Sequence, residues 1–180
     1  MPDATPSEIT FRAGNSADAL CIGVLAAQVF LDNYALDGIR PTLAREVLEK
    51  LHADTTGALL SRPEKRFVVA ERAGHLVGFA EVSLGADHPL LPSDRAAELC
   101  RLYVQERFTG TGLGSSLLQR SESLAAAAGM TALWLTTWVG NERARAFYPR
   151  RGYRDVGTAM YRFQGEEHEN RVFARAFGGR

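Results

Sequence analysis

The 180-residue sequence has few cysteines and no net charge, and each of these deficits excludes a class of protein. Cys21 and Cys100 are too few for the disulfide framework of a small secreted protein, and neither has the spacing of a metal-binding pair. Because 21 Lys and Arg residues balance 21 Asp and Glu residues, the composition is neither that of a polybasic nucleic-acid binder nor that of an acidic disordered tail. The four histidines are scattered. We therefore expect no nucleic-acid partner and no metal.

Long apolar runs are also missing. The longest, around residues 21–31, is interrupted by Gln28 and is shorter than the roughly 20 residues of a membrane span. The first twenty residues lack the continuous apolar core of a signal peptide. Since 46% of the residues are hydrophobic, the chain can bury a sizeable core. These features predict a soluble, cytoplasmic protein with no membrane partner and a single domain over residues 1–180.

Hydrophobic periodicity predicts a mixture of strands and helices without strict β-α-β alternation, and hence an α+β (mixed α/β) domain. The first helix is expected from Asn15 or Ser16 to about Tyr34, with apolar positions Leu20, Val24, Ala27 and Leu31. A second helix is expected from Thr42 to His52, before a polar loop. Two more are expected over residues 113–129 and 141–148. Strands are expected at Glu8–Arg12, Arg66–Arg72, His75–Ser83, Glu98–Val104, 131–139, Tyr153–Phe163 and Arg171–Phe177.

A glycine-rich turn, Thr109-Gly110-Thr111-Gly112-Leu113-Gly114, joins a predicted strand to a predicted helix. Glycines at alternate positions leave backbone N–H groups uncovered beside a helix N-terminus, which is a cradle for phosphates, although a tight structural turn has the same composition. A P-loop requires a lysine after its last glycine, and none follows Gly114. The dinucleotide fingerprint fails as well, because Ser115 stands where its third glycine is required.

Two segments resemble the signatures of the GNAT (GCN5-related) N-acetyltransferase superfamily. Gly112-Leu113-Gly114 supplies the glycines of its Gln/Arg-x-x-Gly-x-Gly/Ala motif, with Thr109 in place of Gln or Arg. Residues 141–153, NERARAFYPRRGY, resemble its N-x-x-A-x-x-F-Y-x-x-x-G-F motif, with Tyr153 in place of the usual Phe. Within the superfamily, ELCRLYVQERFTGTGLG and LWLTTWVGNERARAFYPRRGY look most similar to the PaiA-type spermidine/spermine acetyltransferases.

This resemblance implies a GNAT-like fold: a central, mostly antiparallel sheet of about six to seven strands with splayed central strands, flanked by about four helices. It implies transfer of an acetyl group from acetyl-CoA, the cosubstrate, to a primary amine of a small molecule, by direct attack in a ternary complex. The cofactor-binding residues that it implies are Leu102, Tyr103, Val104, Thr109, Gly110, Thr111, Gly112, Leu113, Gly114, Ser115, Asn141 and Tyr148.

Two side chains are candidates for proton transfer. The resemblance places the general acid at Tyr148, whose phenol has a pKa of about 10 and is protonated at neutral pH; a tyrosine that simply packs beside Phe147 is the structural alternative. Glu98 is the candidate base, with Glu81 in reserve or a water relay between base and amine, and a solvated strand carboxylate is the alternative. Asn141 caps its own helix, binds the cofactor, or does both.

The acceptor is less well defined than the donor. A polyamine is the leading choice, and an aminoglycoside, an amino acid or a protein N-terminus are alternatives. A further alternative is a regulatory protein that binds acetyl-CoA with little turnover. The sequence does not determine the oligomeric state; for a homodimer, an arrangement that the resemblance allows, the hydrophobic strand Arg171–Phe177 is the candidate contact.

Overall fold

A computed structural model describes residues 8–91, 95–163 and 165–178. Within these ranges the chain forms seven strands and five α-helices. In chain order they are β1 (Ile9–Ala13), α1 (Ala19–Tyr34), α2 (Pro41–Lys50), α3 (Ala53–Leu60), β2 (Lys65–Arg72), β3 (His75–Leu84), β4 (Ala96–Val104), α4 (Leu113–Ala127), β5 (Ala132–Trp138), α5 (Glu142–Phe147), β6 (Arg154–Phe163) and β7 (Glu166–Ala176). Short 3-10 turns occur at Ser16–Asp18, Glu106–Phe108 and Pro149–Arg151.

The strands form one sheet in the order β1-β2-β3-β4-β5-β7-β6. β1 pairs antiparallel with β2, β7 pairs antiparallel with both β5 and β6, and β4 pairs parallel with β5. This confirms the predicted mixed α+β architecture with a mostly antiparallel sheet. The described residues form five α-helices rather than about four, because α3 forms in a segment that we expected to be a polar loop.

The parallel pair β4–β5 is in register at the start of each strand. Ala96, Ala97 and Glu98 are opposite Ala132, Leu133 and Trp134, and both strands then continue, β4 to Val104 and β5 to Trp138. Pairing that covers only the first three residues of two longer strands is the backbone pattern of the splayed central strands that the resemblance implied.

By compactness the chain divides into two units. The first contains Met1–Glu81 and Arg101–Ser121, and the second contains Val82–Cys100 and Glu122–Arg180.

The core of the first unit lies between α1 and the strands β2 to β4. Aromatic side chains join the strands: the Phe67 and Phe79 rings are stacked with centroids 6.4 Å apart, and Tyr103 meets Phe79 edge-on at 5.5 Å. From α1, Ile22, Leu25 and other buried residues complete this cluster. At about 25 cal/mol per Å² of apolar surface removed from water, such side chains provide most of the stabilisation of the unit.

The buried face of α1 differs from the expected one. Leu20 is 64% exposed and Val24 is 62% exposed, whereas Ile22, Leu25 and Val29 are buried. Nearly every residue of this helix is apolar, so its periodicity does not identify which side faces the core.

The helix α3 is the main correction to the predicted elements. Its Thr55-Thr56-Gly57 run has low helix propensity, which favoured a loop. The helix forms because Leu59 and Leu60 pack against the core of the first unit, and Thr56 is fully enclosed. Tertiary packing therefore overrides the local preference.

Arg12 connects β1 to the turn that precedes α1. Its guanidinium donates to both carboxylate oxygens of Asp18, at 2.8 and 2.6 Å, and to Glu71 on β2. Asp18 also accepts from the Asn15 backbone N–H, while the Asn15 side chain caps the 3-10 turn Ser16–Asp18 that leads into α1. The hydrogen bonds from Arg12 hold the pKa of Asp18 below its usual value.

In the second unit, β7 lies between β5 and β6, so both of its edges are occupied. Neither edge of β7 is therefore open for pairing with another chain. β7 also begins earlier than predicted, at Glu166, because the polar residues there pair with β6; the Arg162–Glu167 ion pair, at 2.7 Å, joins the two strands. Trp134 on β5 anchors the loop that follows β3 by donating to the Ala86 carbonyl at 2.6 Å. The expected loop at residues 87–94 is observed to residue 91, and residues 92–94 lie outside the described residues.

The segment Ser16–Tyr34 is long and apolar enough to cross a membrane if only length and composition are considered. A core helix of a soluble protein meets the same criteria, and Ile22, Leu25 and Val29 of this segment lie in the core described above.

Candidate active site

The glycine turn of the first unit leads from β4 into α4. Gly110 and Gly112 have φ angles of +76° and +89°, a left-handed conformation that disfavours residues with a side chain. A Cβ at either position would meet no atom within 4 Å, so it is the backbone conformation, rather than limited space, that favours glycine.

Two threonines stabilise this turn from within. The Thr109 hydroxyl donates to the Glu106 carbonyl, and the Thr111 hydroxyl donates to the Phe108 carbonyl, both at 2.7 Å. The Thr109 side chain thus forms its hydrogen bond within the turn, at the position where the family motif has the longer Gln or Arg.

The first helical hydrogen bond of α4 runs from the Ser116 N–H to the Gly112 carbonyl. The amides of Leu113, Gly114 and Ser115 precede it and belong to the first turn, where N–H groups point away from the helix and the helix dipole is positive. The turn therefore has the backbone form of an anion cradle.

The end of β4 lies in the same unit. Leu102, Tyr103 and Val104 are half-buried, and the following residue, Gln105, donates its backbone N–H to the Val77 carbonyl at 3.0 Å. This hydrogen bond ties the end of β4 to β3.

Tyr148, in the second unit, directly follows α5 and is 7% exposed. Its ring is surrounded by three others: Phe147 at 5.0 Å, Tyr153 at 5.6 Å and Phe173 at 6.2 Å between centroids. The aromatic packing gives the phenol a fixed orientation. The structural alternative for Tyr148, packing beside Phe147, is observed, and it is compatible with a chemical role for the hydroxyl group.

Tyr153, at the position where the family motif has Phe, makes a hydrogen bond that Phe cannot make. Its hydroxyl donates to Glu122 at 2.9 Å, and both Glu122 oxygens also accept from Arg175 at 3.0 Å. Burial and the adjacent Glu122 carboxylate raise the pKa of Tyr153 above its ordinary value, so this phenol stays neutral.

Asn141 caps α5, as predicted: its side-chain oxygen accepts from the Ala144 N–H at 3.0 Å. The oxygen is therefore committed to the helix, and the amide NH₂ is the part suited to a ligand.

The two carboxylates considered as bases have different surroundings. Glu81 is 2% exposed, and its oxygens form ion pairs with Lys65 at 2.9 Å and Arg101 at 2.8 Å. Glu98 is half-buried on β4, opposite Trp134 in the register.

Two buried polar groups of α2, in the side chains of Glu46 and Thr42, were not predicted from the sequence. Glu46 is 6% exposed, and its Oε2 has no hydrogen-bond partner within the described part of the chain; the same holds for the buried Oγ1 of Thr42. The sequence feature that could have indicated this burial is the position of Glu46 between Leu43 and Val47, on the apolar side of the helix.

The structure thus places the predicted residues in two groups. The turn at 109–115 and residues 102–104 belong to the first unit, and Glu98, Asn141 and Tyr148 belong to the second. Among residues 8–91, 95–163 and 165–178, no three His, Cys, Asp or Glu side chains are grouped so that they could hold a metal ion.

The fold is that of known N-acetyltransferases. The structure of PaiA N-acetyltransferase from Thermoplasma acidophilum, solved in complex with coenzyme A, matches with a TM-score of 0.72 at 19% identity, covering 94% of this chain and 99% of that one. The sequence model of the acetyltransferase (GNAT) family matches residues 32–153. The chain belongs to this family.

Curated relatives agree with this assignment. A Mycobacterium tuberculosis protein named as an uncharacterized N-acetyltransferase is 32% identical over 111 residues, 62% of this chain and 66% of the relative. The IAA acetyltransferase of Azospirillum brasilense is 35% identical over 98 residues, 54% of this chain and 60% of the relative. The matched region thus spans less than two thirds of the length of each of these relatives.

Proposed function

We propose that the protein is an acetyl-CoA-dependent N-acetyltransferase that modifies a primary amine of a small molecule, with a polyamine as the leading acceptor. The supporting observation is the glycine turn at the start of α4, with Gly110 and Gly112 in left-handed conformations, in a chain of the GNAT family. Residues 1–180 would act as a single acetyltransferase domain in the cytoplasm. The match to the PaiA structure, which covers 94% of the chain, supports the single domain.

The cofactor would bind mainly through backbone groups. The amides of the turn, from Gly110 to Ser115, would donate to the pyrophosphate of acetyl-CoA. The backbone of Leu102, Tyr103 and Val104 would pair with the pantetheine arm as an added strand, and the Asn141 amide would donate to it. Acetyl-CoA supplies the acetyl group as a thioester.

Tyr148 would act as the general acid that protonates the departing thiolate. A phenol with an ordinary pKa of about 10 is protonated at neutral pH and is close enough to a thiol, at about 8.5, to share its proton. Its enclosure by three aromatic rings supports this role, because a fixed phenol loses little freedom when it donates.

Glu98 would act as the base, directly or through a water. The acceptor is an ammonium with an ordinary pKa of about 10.4 and must lose a proton before its nitrogen can attack. Glu81 is less suited to this step, because taking up a proton would break its buried ion pairs with Lys65 and Arg101.

A thiol-release assay with acetyl-CoA and a panel of amines tests the proposal. The panel contains spermidine, spermine, amino acids, aminoglycosides and a peptide with a free N-terminus. Turnover of the polyamines alone supports the leading acceptor, and turnover of another class replaces it. CoA binding without turnover of any amine would favour the regulatory alternative over the enzyme.

A further inference from the structure

Glu46 is a buried carboxylate with one oxygen unpaired. Its side chain is 8% exposed, and Oε1 forms an ion pair with the Lys50 ammonium one helical turn later, at 3.1 Å. Oε2 is buried and has no hydrogen-bond partner within the described ranges. A buried charge is destabilising unless its hydrogen bonds are satisfied, so this oxygen is suited to accept from a ligand.

A second unpaired atom belongs to the same face of α2. Thr42 precedes Glu46 by four residues, and residues at this spacing are neighbours on a helix surface. The Thr42 Oγ1 is buried and also has no partner within residues 8–91, 95–163 and 165–178. Two acceptor atoms, one of them charged, thus occur together on one helix face.

The first unit contains a comparison for Glu46. Glu81 is also buried, but both of its oxygens are engaged, one by Lys65 and one by Arg101. Glu46 has one such cation, Lys50, at Oε1, and its Oε2 is unpaired within the described ranges. A second cation would complete the same coordination.

We propose that Glu46 Oε2 and Thr42 Oγ1 bind an alkylammonium group of the acceptor, namely an amino group that is not the one acetylated. An ammonium has three N–H donors, enough to serve both atoms. The reacting nitrogen must be neutral, whereas a carboxylate best holds a nitrogen that stays protonated. The acceptor would therefore carry at least two amino groups. This inference rests on the proposed acetyltransferase function.

The test compares 1,4-diaminobutane with butylamine, which has the same carbon chain and one amino group. In the thiol-release assay, Glu46→Gln should raise KM for the diamine at least tenfold, with kcat little changed and KM for butylamine changed less than twofold. Glutamine keeps the shape of the side chain and removes its charge. Glu49→Gln, an exposed position on the same helix, is the matched control and should change neither substrate.

Thr42→Val is the second variant and should raise KM for the diamine selectively but less, because it removes the neutral acceptor. CoA affinity and the thermal midpoint show whether Glu46→Gln folds. If it does not fold, Thr42→Val becomes the deciding variant. Equal effects on both amines, or no effect on the diamine, would overturn the proposal and leave Oε2 as the site of a buried water only.

The experiment separates this inference from the function on which it rests. If the unmodified protein acetylates neither amine, the proposed function fails for these acceptors. Calorimetric titration with 1,4-diaminobutane then decides about the site. Weaker binding to Glu46→Gln than to the unmodified protein supports it, and equal or absent binding to both overturns it.

Discussion

The Tyr153 hydroxyl donates to the Glu122 carboxylate across 2.9 Å, in the interior of the second unit. The Tyr153 ring also packs edge-on against the ring of Tyr148, the proposed general acid. Tyr153, which differs from the family motif, thus packs against the ring of Tyr148, which matches the motif.

Tyr148→Phe should lower kcat roughly 100-fold, which is within the usual contribution of a general acid. The three aromatic contacts are kept, so the thermal midpoint and the affinity for CoA should change little. Thiol release and CoA titration measure the two effects. The exposed Tyr161 provides the control, since Tyr161→Phe should leave kcat unchanged. Equal kcat values for Tyr148→Phe and the unmodified protein would remove Tyr148 from the chemistry.

Glu98→Gln should lower the rate most at low pH, where the acceptor is fully protonated and depends most on a base. The pH–rate profile measures this effect, and an unchanged profile would exclude Glu98 as the base.

Glu81→Gln should act on stability instead. It leaves Lys65 and Arg101 without their buried counter-charge, and breaking a buried ion pair costs about 3–5 kcal/mol. Urea unfolding measures this loss. A stable Glu81→Gln protein with an altered pH–rate profile would instead assign the base to Glu81.

Gly112→Ala should weaken CoA binding, because alanine at a φ of +89° distorts the turn whose amides we propose as donors to the phosphates. The left-handed conformation should cost about 1–2 kcal/mol of stability. Gly129→Ala is the control: its φ is +82° and its surroundings are equally open, so it should cost similar stability. CoA titration should then distinguish the two variants, and equal affinities would contradict the phosphate role of the turn.

Asp18→Asn should lower the free energy of unfolding at pH 7 by about 1.5–3 kcal/mol, the usual contribution of hydrogen bonds to a charged group. Because Arg12 holds the pKa of Asp18 below its ordinary value of about 3.9, the stabilisation is complete above that pH. It is lost as the pH falls through the lowered pKa of the folded state. Urea unfolding from pH 7 to pH 2 should show the two proteins converging. A difference that stays constant across this range would rule out the electrostatic explanation.

The strands and the glycine turn were predictable because their patterns are local. Runs of strand-favouring residues identified β2 and β3, and the glycine-rich turn at residues 109–114 identified the start of α4. The same holds for Asn141, whose capping role depends only on residues of its own helix.

The remaining features depend on contacts that the sequence does not show. The Thr-rich helix α3 forms because Leu59 and Leu60 reach the core. The unpaired oxygen of Glu46 became apparent only when burial and hydrogen bonds were known, since a carboxylate beside Lys50 is typical of an exposed helix.

Mass spectrometry of the products observes acetyl transfer to an amine itself. Incubation with acetyl-CoA and a polyamine should give one acetylated amine for each CoA released, and Tyr148→Phe should slow both products equally. If CoA is bound or released and no acetylated amine is formed, the protein does not transfer acetyl groups to the polyamine.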